Sequence, residues 1–467
     1  MSPPTYDAAR DDAIAWLMGR INYERTRPVP YAEQAFKLDA VRELLRRLDD
    51  PQEGLKIVHL AGTKGKGSTG AMIAAALQAA GHTTGVYSSP HLDRLEERFA
   101  VGGEPCPAAE LVGLVERVRP HAEAMDHELG AGPTFFDLTT AMALAHFADR
   151  GVDAVVLEVG LGGRLDSTNI VTPALTAITS ISLDHTKQLG PTRAAIAAEK
   201  AGILKAGVPC VSGVADSEAG DVIARIASER GCPLMVRERD FHIEPTNHST
   251  ASPQNQTASP RRPSWVFTQT QPDGSTETIE DILPALPGGA QAQNAAVALA
   301  ALGTLANAGW DLPIEARRHG IAAGRLPARL ERFEGVPPVV VDGAHNDASA
   351  RALAEALDGL LPGTPRERRV LVVAISDDKD LAAILEPLAQ RFGHVLATRY
   401  LDNPRAADPG EIAAVAARIT DSVSIEPAPA EAFRKAKELA TGAGAVVFAG
   451  SLLFAAEARR LVLAERP

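Results

Sequence analysis

Apolar residues along this chain fall into two alternating rhythms. Short continuous runs of four to seven apolar residues read as buried strands, and longer stretches with apolar positions three and four apart read as helices. Ile14, Trp16, Leu17 and Met18 mark a short helix within Tyr6–Arg20, and Phe36, Leu38, Val41, Leu44, Leu45 and Leu48 predict an amphipathic helix over Tyr31–Leu48. The stretch between them, Asn22-Tyr23-Glu24-Arg25, reads as an ordinary loop. Strands are then expected at Ile57–Ala61, Thr83–Tyr87, Asp153–Val159, Leu175–Leu183 and Val208–Val214. Helices are expected at Ala108–Leu129, Phe136–Arg150 and Thr192–Lys205. Such alternation from Lys56 to Val214 implies a mainly parallel, doubly wound sheet. From Asp240 to Glu280 the composition turns to Pro, Ser, Thr, Gln and Asn, which we read as short strands around a loose loop at Asn247–Arg262. A helix at Gly288–Ala308 follows. A second strand and helix rhythm opens near Arg325, with strands at Val339–Val341, Val370–Ile375, His394–Thr398 and Ala445–Phe448. The boundary is placed between Asp311 and Arg325, giving domains 1–318 and 319–467.

The first strand runs into the turn Gly62-Thr63-Lys64-Gly65-Lys66-Gly67, with a helix expected to open at Ser68 and Thr69. Glycines let backbone N–H groups converge on an anion, the helix start adds positive potential, and a lysine reaches the outer phosphates. Gly67 occupies the place where a hydroxyl residue follows the lysine in the strict phosphate-loop pattern. Other strand ends also carry polar groups, which is where ligands sit in open α/β sheets. Ser88-Ser89-Pro90-His91-Leu92 leaves the second strand, followed by Arg94, Glu96, Glu97 and Arg98. Glu158 ends an apolar run before Gly160, Gly162 and Gly163, a costly place for a carboxylate without a partner or a metal. Asp184-His185 ends the next run, and Glu199, Lys200 and Lys205 lie on the helix after it.

Composition narrows the choices. At 467 residues and 45% apolar content, the chain can bury the cores of two or three domains. A net charge of −12 argues against general attraction to nucleic acid or anionic membrane, while leaving room for a local basic pocket and a small anionic substrate. Cys106, Cys210 and Cys232 are odd in number and lack metal-ligand spacing, which argues against a disulfide framework or a zinc site. The N-terminus carries Asp7, Asp11 and Asp12 without a long apolar core. No apolar run reaches the roughly 18 to 20 residues that span a bilayer, so the expectation is a soluble cytoplasmic protein.

Taken in order, several motifs resemble the folylpolyglutamate synthase and dihydrofolate synthase family, within the Mur-type ATP-dependent amide ligases. They are GTKGKGS at Gly62–Ser68, SPHL with the later ER at Ser89–Arg98, EVGLGGRLDSTN at Glu158–Asn169, DH at Asp184–His185 and EKAGILKAGVP at Glu199–Pro209. The second half adds ARLE at Ala328–Glu331, DGAHN at Asp342–Asn346, DKD at Asp378–Asp380 and GSL at Gly450–Leu452. The resemblance spans Tyr31 to Leu463 and implies a phosphate-loop domain followed by a smaller Rossmann-like α/β domain. GKGS is how this family writes its phosphate loop, so Gly62, Thr63, Lys64, Gly65, Lys66, Gly67 and Ser68 are implied to hold ATP, with Lys66 on the β and γ phosphates. It further implies Mg²⁺ ligands at Ser89, Glu158, His185 and Lys200, the lysine as a carbamate, a second Mg²⁺ or a monovalent cation being a further candidate. Ser68 is a weaker metal candidate, since its hydroxyl also suits a helix cap.

In the second half, Arg329, Asp342 and His345 are implied to contact ATP, with Ala328 replacing the family's glycine, and Asn294 is matched to an adenine-binding asparagine. Lys66, His185, Lys200, Asp342 and His345 are thus the catalytic candidates. Ser451 and Lys379 are explained nearly as well by a helix cap and a surface charge. Phe135, Phe136 and Asp137 fall where the family places an aromatic and acidic pair and its pterin pocket, Asp137 standing where Glu is usual. The implied reaction joins L-glutamate to a folate or to dihydropteroate, in a monomer without nucleic acid or membrane partners. A cell-wall precursor ligase and a nucleotide-binding protein without catalysis are the competing readings.

Overall fold

A computed structural model describes residues 6–22, 38–130, 132–215, 217–246, 264–401, 405–440 and 442–465. The expected loop residues Tyr23, Glu24 and Arg25, the start of the Tyr31–Leu48 helix and the polar segment Asn247–Arg262 lie outside them. The chain divides into two compact units, the first including Met1–Thr246, Ser264–Ala285 and Gln291–Gly324, the second including Leu286–Ala290 and Arg325–Pro467. The division falls after Gly324 rather than at residue 318, because the helix Ile314–Ala323 packs on the phosphate-loop helix Lys66–Ala79. Gly320 meets Ala76 so closely that a methyl group there would lie 2.4 Å from the Ala76 Cβ.

Strands β1 (Ile57–Ala61), β2 (Thr84–Tyr87), β3 (Phe99–Val101), β4 (Ala154–Glu158), β5 (Leu175–Ile178), β6 (Cys210–Ser212) and β7 (Leu234–Val236) form one sheet. Its order is β3-β2-β4-β1-β5-β6-β7, parallel throughout except for β3. Both faces are buried, as continuous apolar runs require. Along β4, Val155 and Leu157 join a core with Leu111, Leu138 and Phe147 from the helices Ala108–Leu129 and Phe135–Asp149. Ala154 and Val156 face the opposite core, with Met72, Ile73, Leu299 and Leu302 from the helices Lys66–Ala79 and Gly289–Asn307. This period of two puts the strand ends, not their faces, in reach of a ligand. β8 (Phe241–Pro245), β9 (Trp265–Thr270) and β10 (Thr276–Ile282) make a small antiparallel sheet, the strands expected in the polar region.

The second unit repeats the logic with β11 (Glu331–Phe333), β12 (Val339–Val341), β13 (Arg369–Val373), β14 (His394–Ala397), β15 (Val423–Ile425) and β16 (Ala445–Ala449). Their order is β11-β12-β16-β13-β14-β15, with only β11 antiparallel. Leu371, Val373, Val395 and Val447 bury against Leu353, Leu357 and Leu385. Phe448 stacks edge-on with Phe433 at 5.3 Å.

Two elements depart from their expected lengths. β5 stops at Ile178 instead of running to Leu183, because Thr179 and Ser180 turn toward the phosphate loop. The helix expected over Thr192–Lys205 is α-helical only at Arg193–Lys200 and tightens to a 3₁₀ turn at Ala201–Ile203. There Gly202 lies against the Arg164 backbone, where a methyl group would sit 2.4 Å from Cα. Among the described residues, no helix is long and apolar enough to cross a membrane.

Candidate active site

The order β4-β1-β5 reverses direction around β1, and the glycine turn leaves the carboxyl end of that central strand. The helix opens at Lys66, two residues earlier than expected, with Gly65 as its N-cap in the left-handed region at φ 86°. Its first i to i−4 bond is Thr69 N to Gly65 O at 2.9 Å, so the amides of Lys66, Gly67 and Ser68 precede the helical ladder. Such amides, at the positive end of the helix dipole, suit an anion. A methyl group on Gly65 would lie 2.2 Å from Asn294 Oδ1, and one on Gly62 would lie 1.9 Å from Thr179 Oγ1. Only glycine fits either place. Asn294 therefore sits against the loop itself, on the helix Gly289–Asn307, with its amide donating to Gln291 Oε1 at 3.2 Å.

The loop is braced from β5. Thr63 N donates to Ser180 O at 2.8 Å, and Lys64 N donates to Ser180 Oγ at 3.0 Å. Thr179 Oγ1 and Ser180 Oγ donate to Lys64 O at 2.6 and 2.9 Å. Sequence reading missed both residues, although Thr-Ser at the end of the run Leu175–Ile178 was the available signal.

Three lysines gather here. Lys66 Nζ and Lys200 Nζ donate to the same Gly62 carbonyl at 3.1 and 3.0 Å, and Lys66 lies 3.8 Å from Glu158 Oε1. Lys64 pairs with Asp184 at 3.2 Å. A cleft lined by Gly62, Lys66, Gly160, Asp184, His185 and Lys200 unites the candidates Lys66, His185 and Lys200 from separate motifs. Lys200 is buried, and burial first and the neighbouring Lys66 charge second bring its amine down to about 7. Burial likewise lowers His185, Asp184 pulling the other way and Lys200, Lys66 and Lys64 reinforcing the fall. His185 stands in the left-handed region at φ 48°, as N-cap of the short helix Thr186–Leu189. Asp184 is lowered despite burial, by Lys64 and His185.

Ser89 lies on the loop leaving β2, one strand beyond Glu158 at the end of β4. That loop is ordered by Glu97, whose carboxylate accepts the amides of Leu92, Asp93 and Arg94 at 2.7, 3.1 and 3.0 Å. Arg98 donates to His91 Nδ1 at 2.9 Å and lies 5.2 Å over the Phe135 ring. Burial works to raise Glu96, but Arg10 and Arg94 hold it at about 2. The acidic and basic residues of this motif thus shape the loop.

A buried chain supports the glycine segment after β4. His59 Nε2 meets Thr168 Oγ1 at 2.9 Å, Thr168 donates to Asp166 Oδ1 at 2.5 Å, and Leu161 N donates to Asp166 Oδ2 at 2.9 Å. Burial raises Asp166 against those hydrogen bonds. Asp137 caps its own helix through Thr134 and accepts from Ser167 Oγ at 2.6 Å, Phe135 is core, and Phe136 lies against Gly160.

The second unit carries its own cluster. Buried Asp342, just past β12, accepts the amides of Leu330 and Ala344 at 2.8 Å each, fixing the segment that bears Arg329. Burial raises its carboxyl, while the Arg329 charge opposes. His345 Nδ1 donates to Gly343 O at 2.7 Å, which sets its tautomer. Ala328 is held at φ 52°, the left-handed conformation that a glycine adopts freely. Ser451 caps the helix Leu452–Ala464 by accepting from Leu453 N, and Lys379 pairs with Asp378 at 3.3 Å.

A phosphate loop at the switch point of a doubly wound sheet, followed by a second α/β unit with an Asp-Gly-Ala-His segment anchored by buried Asp342, defines a nucleotide-dependent two-unit architecture. The Mur ligase middle domain family matches residues 116–302, and the Mur ligase glutamate ligase domain family matches residues 328–452. The dihydrofolate synthase/folylpolyglutamate synthase of Bacillus subtilis is 35% identical over 401 residues, covering 85% of this chain and 87% of that protein. The solved folylpolyglutamate synthase of Thermotoga maritima superposes with a TM-score of 0.83 at 29% identity, covering 99% of this chain and 98% of that one. Escherichia coli FolC in complex with DHPP and ADP gives 0.79 at 30% identity, with full coverage of both chains. The chain belongs to the folylpolyglutamate synthase/dihydrofolate synthase family of Mur ligases.

Proposed function

We propose that this protein is an ATP-dependent ligase that forms an amide between a carboxylate of a folate, of dihydropteroate, or of both in turn, and the amine of L-glutamate. The observation that carries the reading is the convergence of Lys66 and Lys200 on the Gly62 carbonyl beside Glu158, at the mouth of the phosphate loop. The similarity to FolC, solved with DHPP and ADP, supports the same substrates here.

In this reading Gly62 to Ser68 wrap the phosphates, Asn294 faces the adenine, and Lys66 offsets charge as the γ-phosphoryl moves to the acceptor carboxylate. Arg329, positioned by Asp342, and His345 are the second unit's groups for the nucleotide. The amine of glutamate attacks the acyl phosphate, the C–O bond to phosphate breaks, and the amine's proton passes to solvent. Amide, ADP and phosphate leave, with no covalent enzyme intermediate.

The oxygen donors Ser89 and Glu158, with the His185 imidazole, suit Mg²⁺, which when bound supplies neutralisation of phosphate charge. As the free amine seen here, Lys200 is a hydrogen-bond donor and not a ligand. An amine brought to about 7 is substantially neutral at physiological pH. It can therefore add carbon dioxide and lose a proton, giving an anionic carbamate oxygen for the metal.

We place the enzyme in the cytoplasm as a monomer. Phosphate release from ATP, measured with glutamate and each acceptor, tests the assignment. Dependence on dihydropteroate or tetrahydrofolate is expected, whereas dependence on a UDP-muramyl peptide, or no turnover with any acceptor, would overturn it.

A further inference from the structure

Away from the phosphate loop, the fold assembles a second group of metal-ligating side chains from residues distant in sequence. Cys106 and Glu110 flank the start of the helix Ala108–Leu129, and His146 lies in the last turn of the helix Phe135–Asp149. That second helix leads through Gly151 into the first residue of β4. The group therefore sits at the amino-end edge of the parallel strands, and the phosphate loop at the carboxyl-end edge. Cys106 and His146 are 2% and 3% exposed, and the mechanism above uses neither.

One potential ligand atom from each residue lies within 4.8 Å of the others. A tetrahedral zinc ion, with bonds of about 2.0 to 2.3 Å, holds its ligand atoms roughly 3.3 to 3.8 Å apart. His146 Nδ1 and Glu110 Oε2 already stand 3.4 Å apart, inside that range. The other Glu110 oxygen accepts from Arg150 Nη1 at 2.8 Å, the kind of outer contact that orients a ligating carboxylate. Cys106 is held by its backbone amide on Glu96 O at 3.2 Å, and its thiol contacts Pro107 O at 3.4 Å and the Leu111 amide. Glu110 is partly exposed, which leaves a path for entry and a place for water.

We propose that Cys106, Glu110 and His146 bind a zinc-class divalent cation through Sγ, one carboxylate oxygen and an imidazole nitrogen, with water as the fourth ligand. Thiolate with imidazole and carboxylate selects zinc or cobalt over the hard cation Mg²⁺. On binding, the S–H bond breaks, a metal–sulfur bond forms and the proton goes to solvent. The ion clasps the start of one helix to the end of the other, so its effect falls on stability and not on turnover.

The test titrates chelator-treated protein with Co²⁺, in saturating ATP and Mg²⁺ so that the phosphate-loop site is occupied. A thiolate-to-cobalt charge-transfer band should saturate at one equivalent and be displaced by Zn²⁺. It should vanish in Cys106→Ser and require about 10- to 100-fold more metal in Glu110→Gln. Glu110 is at the surface, so that variant keeps the test independent of any folding defect at Cys106. Zn²⁺ should raise the Tm of the wild type and of neither variant at one equivalent. No band in the wild type, or a band that persists in Cys106→Ser and so arises from Cys210 or Cys232, would overturn the proposal.

Discussion

His59 is fully buried in β1, with one ring nitrogen on Thr168 and the other, Nδ1, without a hydrogen-bond partner among the described residues. Burial lowers its pKa from 6.5 to about 3, helped by the Lys205 charge. The folded chain therefore binds fewer protons than the unfolded chain between those values. Stability is fully present above pH 6.5 and is lost as pH falls toward 3. From about pH 7.5 to about pH 5, the linkage relation gives a loss of about 2 kcal/mol from this one imidazole. That figure depends on the unfolded value and hardly on how far below 5 the folded value lies. His59→Gln removes the titration and keeps a neutral polar group. The protein's 3 tryptophans, Trp16, Trp265 and Trp310, all lie in the first unit, so urea unfolding followed by tryptophan fluorescence reports on the sheet that holds His59. The stability difference between wild type and variant should narrow by about 2 kcal/mol between the two pH values, carboxylate titrations cancelling in the difference. A difference independent of pH would refute the reasoning and place a hydrogen-bond acceptor or water against Nδ1.

Lys66→Ala should lower kcat/KM by about 10²- to 10³-fold, as expected for losing one preorganised charge at a transferring phosphoryl group, and near-normal kcat would contradict its assignment. Lys200→Ala should lose activity by at least about 10²-fold, with partial recovery in added short-chain carboxylate; an undiminished variant would remove Lys200 from the metal site. Ala328→Gly should stabilise the second unit by up to about 1 kcal/mol, the left-handed strain relieved less the added freedom of the unfolded chain. Calorimetry checks this, and a lower Tm would mean that the Ala328 methyl group contributes more by packing than its conformation costs.

Long apolar runs were the most legible parts of the chain. The helix Ala108–Leu129 appears with its expected ends, and β1, β2 and β4 fall within one residue of theirs, because continuous burial on two faces leaves little choice. β15 carries no sequence signal, because Val423 and Ser424 are only half-buried, Ile425 is exposed and the three show no periodicity. The sequence predicts a longer β5 because Thr179 and Ser180 keep a strand-like composition while serving the loop. The lysine and glycine pattern indicated phosphate, but not that Lys66 and Lys200 share one carbonyl across 134 residues of sequence. Asn294 over Gly65 and the Cys106, Glu110 and His146 group are likewise products of tertiary packing.

Transfer of oxygen during turnover tests the proposed chemistry most directly. The acceptor carboxylate is labelled with ¹⁸O, and the phosphate released in the presence of ATP and L-glutamate is analysed by mass. An acyl-phosphate route requires one labelled oxygen in each phosphate and a product heavier by one glutamyl residue. Phosphate without label, alongside the same product, would contradict it.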